Sequence, residues 1–224
     1  MSRPTSTAAI ILAAGSSSRM GAGRHKLLLP LGDRPVLAHV IEATLASQAY
    51  PIILVLGHQT EQVRASILQY TTHPSITLVE NPDYLQGMST SLRVGLQALV
   101  TKDRKRELPS YSVDGALVIL GDQPLMTTHV LDTLIATRQT TGRHIIAPLF
   151  KNRRGNPVLF DASLFSELME VTGDEGGRSI IERHRHDVAT VEVGNELATY
   201  DVDTWEAYQQ VVAQWQRQQD VSNL

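Results

Sequence analysis

The sequence predicts a Rossmann-like, three-layer α/β fold around a mostly parallel (mixed) central sheet, and three observations predict it. Short apolar runs without polar alternation end in or near glycine, the pattern of strands buried on both faces. Segments with apolar residues at helical spacing separate these runs. The two patterns alternate through about the first half of the chain, as parallel strands joined by crossover helices require. A length of 224 residues suits one such domain better than two small ones.

The first run is Ala8-Ala-Ile-Ile-Leu-Ala-Ala14, closed by Gly15. After a polar loop, Val36, Leu37, Val40, Ile41, Thr44 and Leu45 recur at helical spacing. Pro51-Ile-Ile-Leu-Val-Leu56 is a second buried strand closed by Gly57, and Thr60 is placed to cap a helix with Val63, Ile67 and Leu68 on one face. A third strand at 76–79 leads to a helix over 88–100 with Leu92, Leu96 and Leu99 inward. A fourth strand at 116–120 runs into Gly121-Asp122 and a helix from about Thr128. The second half is less regular. Strands at 145–147 and 157–160 flank a loop at 151–155, helices follow at 162–171 and 178–183, and 188–193 alternates like an exposed or edge strand. The final helix starts near Asp203 and is expected to fray over the Gln-rich end at 214–224. The charge run at 102–107 reads as a solvated loop.

At 42% hydrophobic and 19% charged residues the chain is that of a globular protein. A formal charge of −3 gives no overall attraction to nucleic acid or acidic membranes, so any anionic substrate needs a local positive site. Cysteine is absent, which excludes disulfides and thiolate zinc and fits a reducing cytoplasm. Residues 1–7 are polar and the apolar run behind them is only strand-length, so neither a signal peptide nor a membrane span is expected, and a cytoplasmic location is.

The strongest local signal is Leu12-Ala-Ala-Gly-Ser-Ser-Ser-Arg-Met-Gly21, followed by Lys26. It leaves the end of the first strand, where ligands collect in open α/β sheets. Gly15 and Gly21 permit sharp turns, Ser16 and Ser17 add hydroxyls, and Arg19 and Lys26 bring positive charge to phosphate. Two familiar phosphate motifs fail here. Five residues rather than four separate Gly15 from Gly21 and no Lys-Ser/Thr follows, so this is no P-loop; the G-x-G-x-x-G fingerprint is missing as well.

This loop, with Lys26-Leu-Leu-Leu-Pro30 after it, resembles the nucleotide-binding loop of the MobA-like NTP transferases. Asn81-Pro-Asp-Tyr-Leu-Gln-Gly87 with Ser89-Thr-Ser91, Gly121-Asp-Gln-Pro124, Gly155-Asn-Pro157 and Asp201-Val-Asp-Thr204 match in the same order, from about Ala8 to Tyr208. The two middle segments point to the molybdenum cofactor cytidylyltransferase branch. Related guanylyltransferases usually carry Gly-Gly where this chain has Ala14-Gly15. Two departures stand out: Ala22-Gly-Arg-His25 lengthens the loop, and Trp205-Glu-Ala replaces the usual Pro-Glu-Asp.

The resemblance implies a Mg²⁺-dependent nucleotidyltransferase, with Mn²⁺ as an alternative ion, that moves CMP from CTP to molybdenum-loaded molybdopterin and releases pyrophosphate. A molybdenum hydroxylase or its insertion chaperone is the implied protein partner. The nucleotide-binding half spans about 8–125 and the acceptor half about 126–210. Leu12, Ala13, Ala14, Gly15, Ser16, Ser17, Arg19 and Lys26 are expected on the nucleotide, together with Gly57, Gly87, Ser89 and Ser91. Arg154, Asn156 and Pro157 are expected on the acceptor, with Gly173-Asp-Glu-Gly-Gly-Arg178 nearby. Magnesium takes one or two carboxylates plus phosphates and water. Asp122, directly after a buried strand, is the principal candidate; by the resemblance Asp201 or Asp203 completes the set, and the alternative reading of Asp203 is a cap on the last helix. Arg19, Lys26 and Asp122 are thus the candidate catalytic groups. The acceptor alternatives are a sugar or alditol phosphate, and a non-catalytic cofactor chaperone is a different class of reading; an acidic residue at 122 argues against the last. His184, Arg185, His186 and Asp187 read as a solvated helix end rather than a metal cluster.

Overall fold

The computed structural model describes residues 5–21, 23–101, 112–194 and 196–222, so the charge run at 102–107 lies outside the described residues. Strand β1 (Thr5–Ala13) leads through two single-turn 3₁₀ helices, Ser18–Met20 and Lys26–Leu28, into a small hairpin of β2 (Pro30–Leu31) and β3 (Arg34–Pro35). Helix α1 (Val36–Leu45), strand β4 (Ile52–Leu56), helices α2 (Thr60–Ser66) and α3 (Leu68–Thr71) and strand β5 (Ile76–Glu80) follow. A 3₁₀ turn at Tyr84–Gln86 opens helix α4 (Met88–Val100), then come β6 (Ser112–Leu120) and α5 (Thr128–Thr141). The remainder is β7 (Ile145–Phe150), β8 (Arg153–Arg154), β9 (Val158–Asp161), α6 (Phe165–Glu170), α7 (Arg178–Arg183), β10 (Val188–Glu192) and α8 (Trp205–Ser222).

The main sheet runs β10-β7-β9-β6-β1-β4-β5. All neighbours along it are parallel except β9, which is antiparallel to both β6 and β7. Successive residues of a strand face opposite ways, and β1 uses both faces. Ala9, Ile11 and Ala13 pack with Leu37, Val40 and Ile41 of α1 and Leu131, Leu134 and Ile135 of α5. Ala8, Ile10 and Leu12 pack with Leu92 and Leu96 of α4 and Phe165 and Leu168 of α6. The result is the expected mixed, mostly parallel sheet between two helical layers. Among the described residues no helix is long and apolar enough to cross a membrane.

Three local expectations need correction. Thr60 does not cap its helix: Gln59 holds the cap position in a left-handed conformation, and the Thr60 hydroxyl donates to the Gly57 carbonyl at 2.8 Å. Ile67 leaves helical geometry at φ −118°, so α2 ends there; Val63 and Ile67 stay buried, but Leu68 begins α3 and turns out to solvent. The loop at 151–155 contains Arg153–Arg154, which pairs with the end of β7. The C-terminal helix is described as far as Ser222. Its anchor is Trp215, whose ring stands edge-on to His39 and presses on Gly32, where a Cβ would lie 2.5 Å from the indole.

Candidate functional site

Strand β1 sits where the chain changes direction across the sheet: β4 and β5 extend to one side and β6 to the other. That switch point leaves a crevice at the carboxyl ends of β1 and β6, the expected ligand position in such a sheet. The glycine-serine loop leaves β1 and the Gly121-Asp122 turn leaves β6, held together by the Gly121 N–H donating to the Leu12 carbonyl at 2.9 Å. A Cβ placed on Gly15 meets nothing within 4 Å, so the loop leaves open space there rather than packing against protein. Ser17 turns in the left-handed region at φ 56°, and its hydroxyl accepts from the Lys26 backbone N–H at 3.1 Å. The loop thereby fixes the register of Lys26, which the lengthened stretch before it had left open.

Lys26 is the electrostatic centre. Its Nζ lies 2.5 Å from Asp122 Oδ2 and 2.7 Å from Asp203 Oδ1, and the Arg19 guanidinium reaches Asp203 Oδ2 at 3.1 Å. Burial pulls the Lys26 ammonium down, but the two carboxylates outweigh it and hold its pKa above the ordinary lysine value. The acidic segments are themselves joined, because the Val202 N–H donates to the Asp122 carbonyl at 2.9 Å. Asp201 has a different setting: burial raises its pKa, Gln123 Nε2 donating at 2.7 Å opposes this, and the Asp122 and Asp203 charges add to the rise. Asp122 and Asp203 therefore converge on one cation position, while Asp201 stands one step back. Two carboxylates beside a phosphate loop fit Mg²⁺, which draws its remaining ligands from substrate phosphates and water. Among the described residues no cluster of three or more His, Asp or Glu forms a cage without such help.

A cleft of about 640 Å³ opens over these groups. Of the predicted residues, it is lined by Leu12, Ala13, Ala14, Gly15, Ser16, Ser17, Arg19, Lys26, Gly87, Ser91, Asp122, Asn156, Asp201 and Asp203. Four predicted contacts stand elsewhere. Gly57 packs behind the loop, where a Cβ would come within 2.8 Å of Ala14 Cβ and 2.9 Å of Tyr84 Cβ. Ser89 is buried, with its N–H donating to the Gly173 carbonyl at 3.0 Å. Pro157 is tucked into the core edge behind Asn156, and Arg154 is exposed and paired with Glu182 at 3.1 Å. His184 is half-buried and contacts Glu167 at 3.0 Å.

The cleft also takes in residues that sequence reasoning had not singled out. Tyr84, Met88, Val118, Phe160 and Ile181 add apolar surface, and Arg178, the last residue of the Gly173–Arg178 segment quoted from the resemblance, lines it as well. Asn81, quoted for its motif, is a structural pin: its Nδ2 donates to the hydroxyls of Thr90 and Ser91 at 2.8 and 2.9 Å.

Comparison with known proteins bears on this arrangement. The chain is 27% identical over 195 residues to the molybdenum cofactor cytidylyltransferase of Escherichia coli (strain K12), covering 87% of this chain and 90% of that protein. It is 34% identical over 137 residues to the bifunctional protein GlmU of Acinetobacter baylyi, but spans only 26% of that protein's length. Among solved structures, Rv0371c of Mycobacterium tuberculosis H37Rv superposes with a TM-score of 0.77 at 28% identity, covering 95% of this chain and 100% of that one; Rv0371c has also been solved as a manganese complex. Residues 9–188 match the MobA-like NTP transferase domain. With the phosphate loop, the paired acids and most of the length accounted for, the chain belongs to the MobA-like NTP transferase family.

Proposed function

We propose that the chain transfers CMP from CTP to the terminal phosphate of molybdenum-loaded molybdopterin, forming the cytosine dinucleotide and releasing pyrophosphate. The observation that carries the reading is Lys26 held between Asp122 and Asp203 beside the open phosphate loop. In this reaction an acceptor phosphate oxygen attacks the α-phosphorus in line, the bond from α-phosphorus to the bridging oxygen breaks, and pyrophosphate leaves with that electron pair. Both reactants are anions, so the site must offset repulsion and stabilise charge on the leaving group. The backbone N–H groups around Gly15 and Ser16 face the triphosphate, and Arg19 and Lys26 grip its oxygens. Asp122 and Asp203 hold Mg²⁺ or Mn²⁺, which supplies charge neutralisation at the phosphates when bound. Ser91 and Gly87 line the nucleoside end, and Asn156 with Arg178 receives the acceptor. Support for CTP and molybdopterin comes from the near full-length cytidylyltransferase relative and from the ordered segments that resemble that branch.

The partial match to GlmU motivates testing other phosphorylated acceptors as well. Purified protein is given all four NTPs, magnesium and either molybdenum-loaded molybdopterin or a panel of sugar and alditol phosphates, and products are weighed by mass spectrometry. The expected product is the cytosine dinucleotide of molybdopterin with one pyrophosphate per turnover. Transfer of another base, or transfer only to a sugar phosphate, overturns the reading.

A further inference from the structure

His25, immediately before Lys26, is a buried residue that the proposed chemistry does not use. It stands at the start of the single 3₁₀ turn that carries the lysine and is only 5% exposed. Its ring stacks nearly parallel to that of His58, with centroids 5.5 Å apart and planes 8° from parallel. Its Nε2 lies 3.3 Å from the His58 carbonyl, which can only accept, so Nε2 carries the proton. That leaves Nδ1 as a buried acceptor with no partner among the described residues. An orphaned buried acceptor is destabilising, and an aliphatic side chain would fill the space without it. The imidazole brings what an aliphatic cannot: the stacking on the His58 ring and the bond to the His58 carbonyl.

His58 is in turn tied to the cleft. Its N–H donates to the Ala14 carbonyl in the phosphate loop at 3.1 Å, and its Nδ1 lies 3.2 Å from the Tyr84 hydroxyl. Tyr84 lines the cleft. The turn bearing Lys26 is therefore held from two sides, by the Ser17 hydroxyl on its N–H and by His25 on the segment after β4. Lysine has a flexible four-carbon stem, so its ammonium reaches a defined point only if its backbone is fixed. Burial holds the His25 pKa below the ordinary imidazole value, which keeps a second positive charge away from Lys26 near neutral pH.

We propose that His25 is a positioning residue, whose stacking on His58 and bond to the His58 carbonyl aim the Lys26 ammonium into the cleft. The proposal rests on the role given to Lys26 above. It is tested on the full chain with His25→Ala, His25→Gln and, alongside, Lys26→Ala, in steady-state assays of pyrophosphate release with magnesium, CTP and molybdenum-loaded molybdopterin. The Gln side chain carries an Nε2 donor at about the same reach as the imidazole. A misplaced ammonium is felt in the transition state, so His25→Ala is expected to lower kcat by about tenfold to a hundredfold, with KM for CTP within about threefold of wild type. His25→Gln is expected to recover kcat to within about threefold of wild type. If His25→Ala keeps wild-type kcat, if only its KM changes, or if the Gln form is as slow as the Ala form, the proposal is overturned. Should the Ala form lack a cooperative melt, His25→Phe replaces it, filling similar volume without the donor, and the same readings apply. A Lys26→Ala enzyme with undiminished kcat would remove the role of Lys26 itself; an inactive Lys26→Ala beside a normal His25→Ala would remove only the role of His25.

Discussion

At the scale of single residues, the charges of the cleft divide into an inner pair and a support. Asp122 and Asp203 share the Lys26 ammonium, whereas Asp201 is turned to the Gln123 amide. If the inner pair holds the metal, neutralising either acid removes a ligand, and neutralising Asp201 does not. We expect Asp122→Asn and Asp203→Asn each to lower kcat by about a hundredfold or more, and Asp201→Asn to stay within about tenfold of wild type. Titrating Mg²⁺ against activity in all three variants checks the assignment: equal losses, or a loss confined to Asp201, would sink it. The sequence carried part of this. A glycine-serine loop with Arg19 and Lys26, and an acid directly after a buried strand, are local patterns whose chemistry is visible in a window of fifteen residues or so. Which distant acid joins Asp122 was not visible, because Asp201 and Asp203 have the same spacing rules and only the folded chain brings one of them across 177 residues to Lys26. Arg154 and Arg178 were open to exchange for the same reason. Both are arginines beside glycines, and only the fold shows that Arg178 lines the cleft while Arg154 stands outside it beside Glu182.

At the scale of elements, what was legible follows from burial. The strands β1, β4 and β6 are apolar on both faces, so their runs stand out; β1 and β6 begin earlier than expected, in polar residues, and β4 begins one residue later. The break between α2 and α3 escaped notice because Val63, Ile67 and Leu68 satisfy helical spacing whether or not the backbone is continuous. Gly57 shows a related limit. A glycine closing a strand reads equally as a plain turn or as a ligand contact, and its actual task is to let the end of β4 lie against Ala14 and Tyr84. Its φ is not in the left-handed region, so space alone sets the requirement. Gly57→Ala forces a methyl group to within 2.9 Å of the Ala14 carbonyl oxygen, which already accepts from the His58 N–H. Overpacking of this kind typically destabilises by about 1–3 kcal/mol. The expected result is a modest loss of stability in denaturant melts together with weaker binding of Mg-CTP in calorimetry, at least fivefold by rough estimate if the loop moves. Wild-type affinity in a folded Gly57→Ala protein would show that the loop does not depend on this packing.

At the scale of the whole molecule, the cleft depends on the seam where β6 meets the antiparallel β9, since Val118 of β6 and Val158 and Phe160 of β9 all line it. Sequence alone gave the strand at 157–160 but not its direction, because an antiparallel strand inside a parallel sheet is set by the connection that returns it and not by its own residues. The seam is riveted by Arg138 of α5. Its guanidinium reaches Asp161 at 2.5 Å and Asp114 at 3.0 Å, and its Nη2 also donates to the Asp114 carbonyl at 2.7 Å. Burial tends to raise the Asp161 pKa, but Arg138 and the Ser163 hydrogen bonds outweigh it and leave it below the ordinary carboxylate value. A carboxylate depressed in this way adds stability above its unfolded pKa of about 3.9 and loses it as pH falls through the lower folded value. The side chains are partly exposed, at 15% for Arg138 and 20% for Asp161, so the contribution lies between that of surface and fully buried pairs. We expect Arg138→Ala to destabilise the protein by about 2 kcal/mol at pH 7, a fall in Tm of roughly 6 °C in a chain of this size. The difference from wild type should hold from pH 7 down to about pH 4 and shrink below it, as protonation of Asp161 removes the interaction from the wild type too. Denaturant melts of both proteins at pH 7, 5 and 3 give the test. A difference that stays constant to pH 3 would mean that Arg138 acts through packing of its stem, and that the charge on Asp161 does not hold the seam.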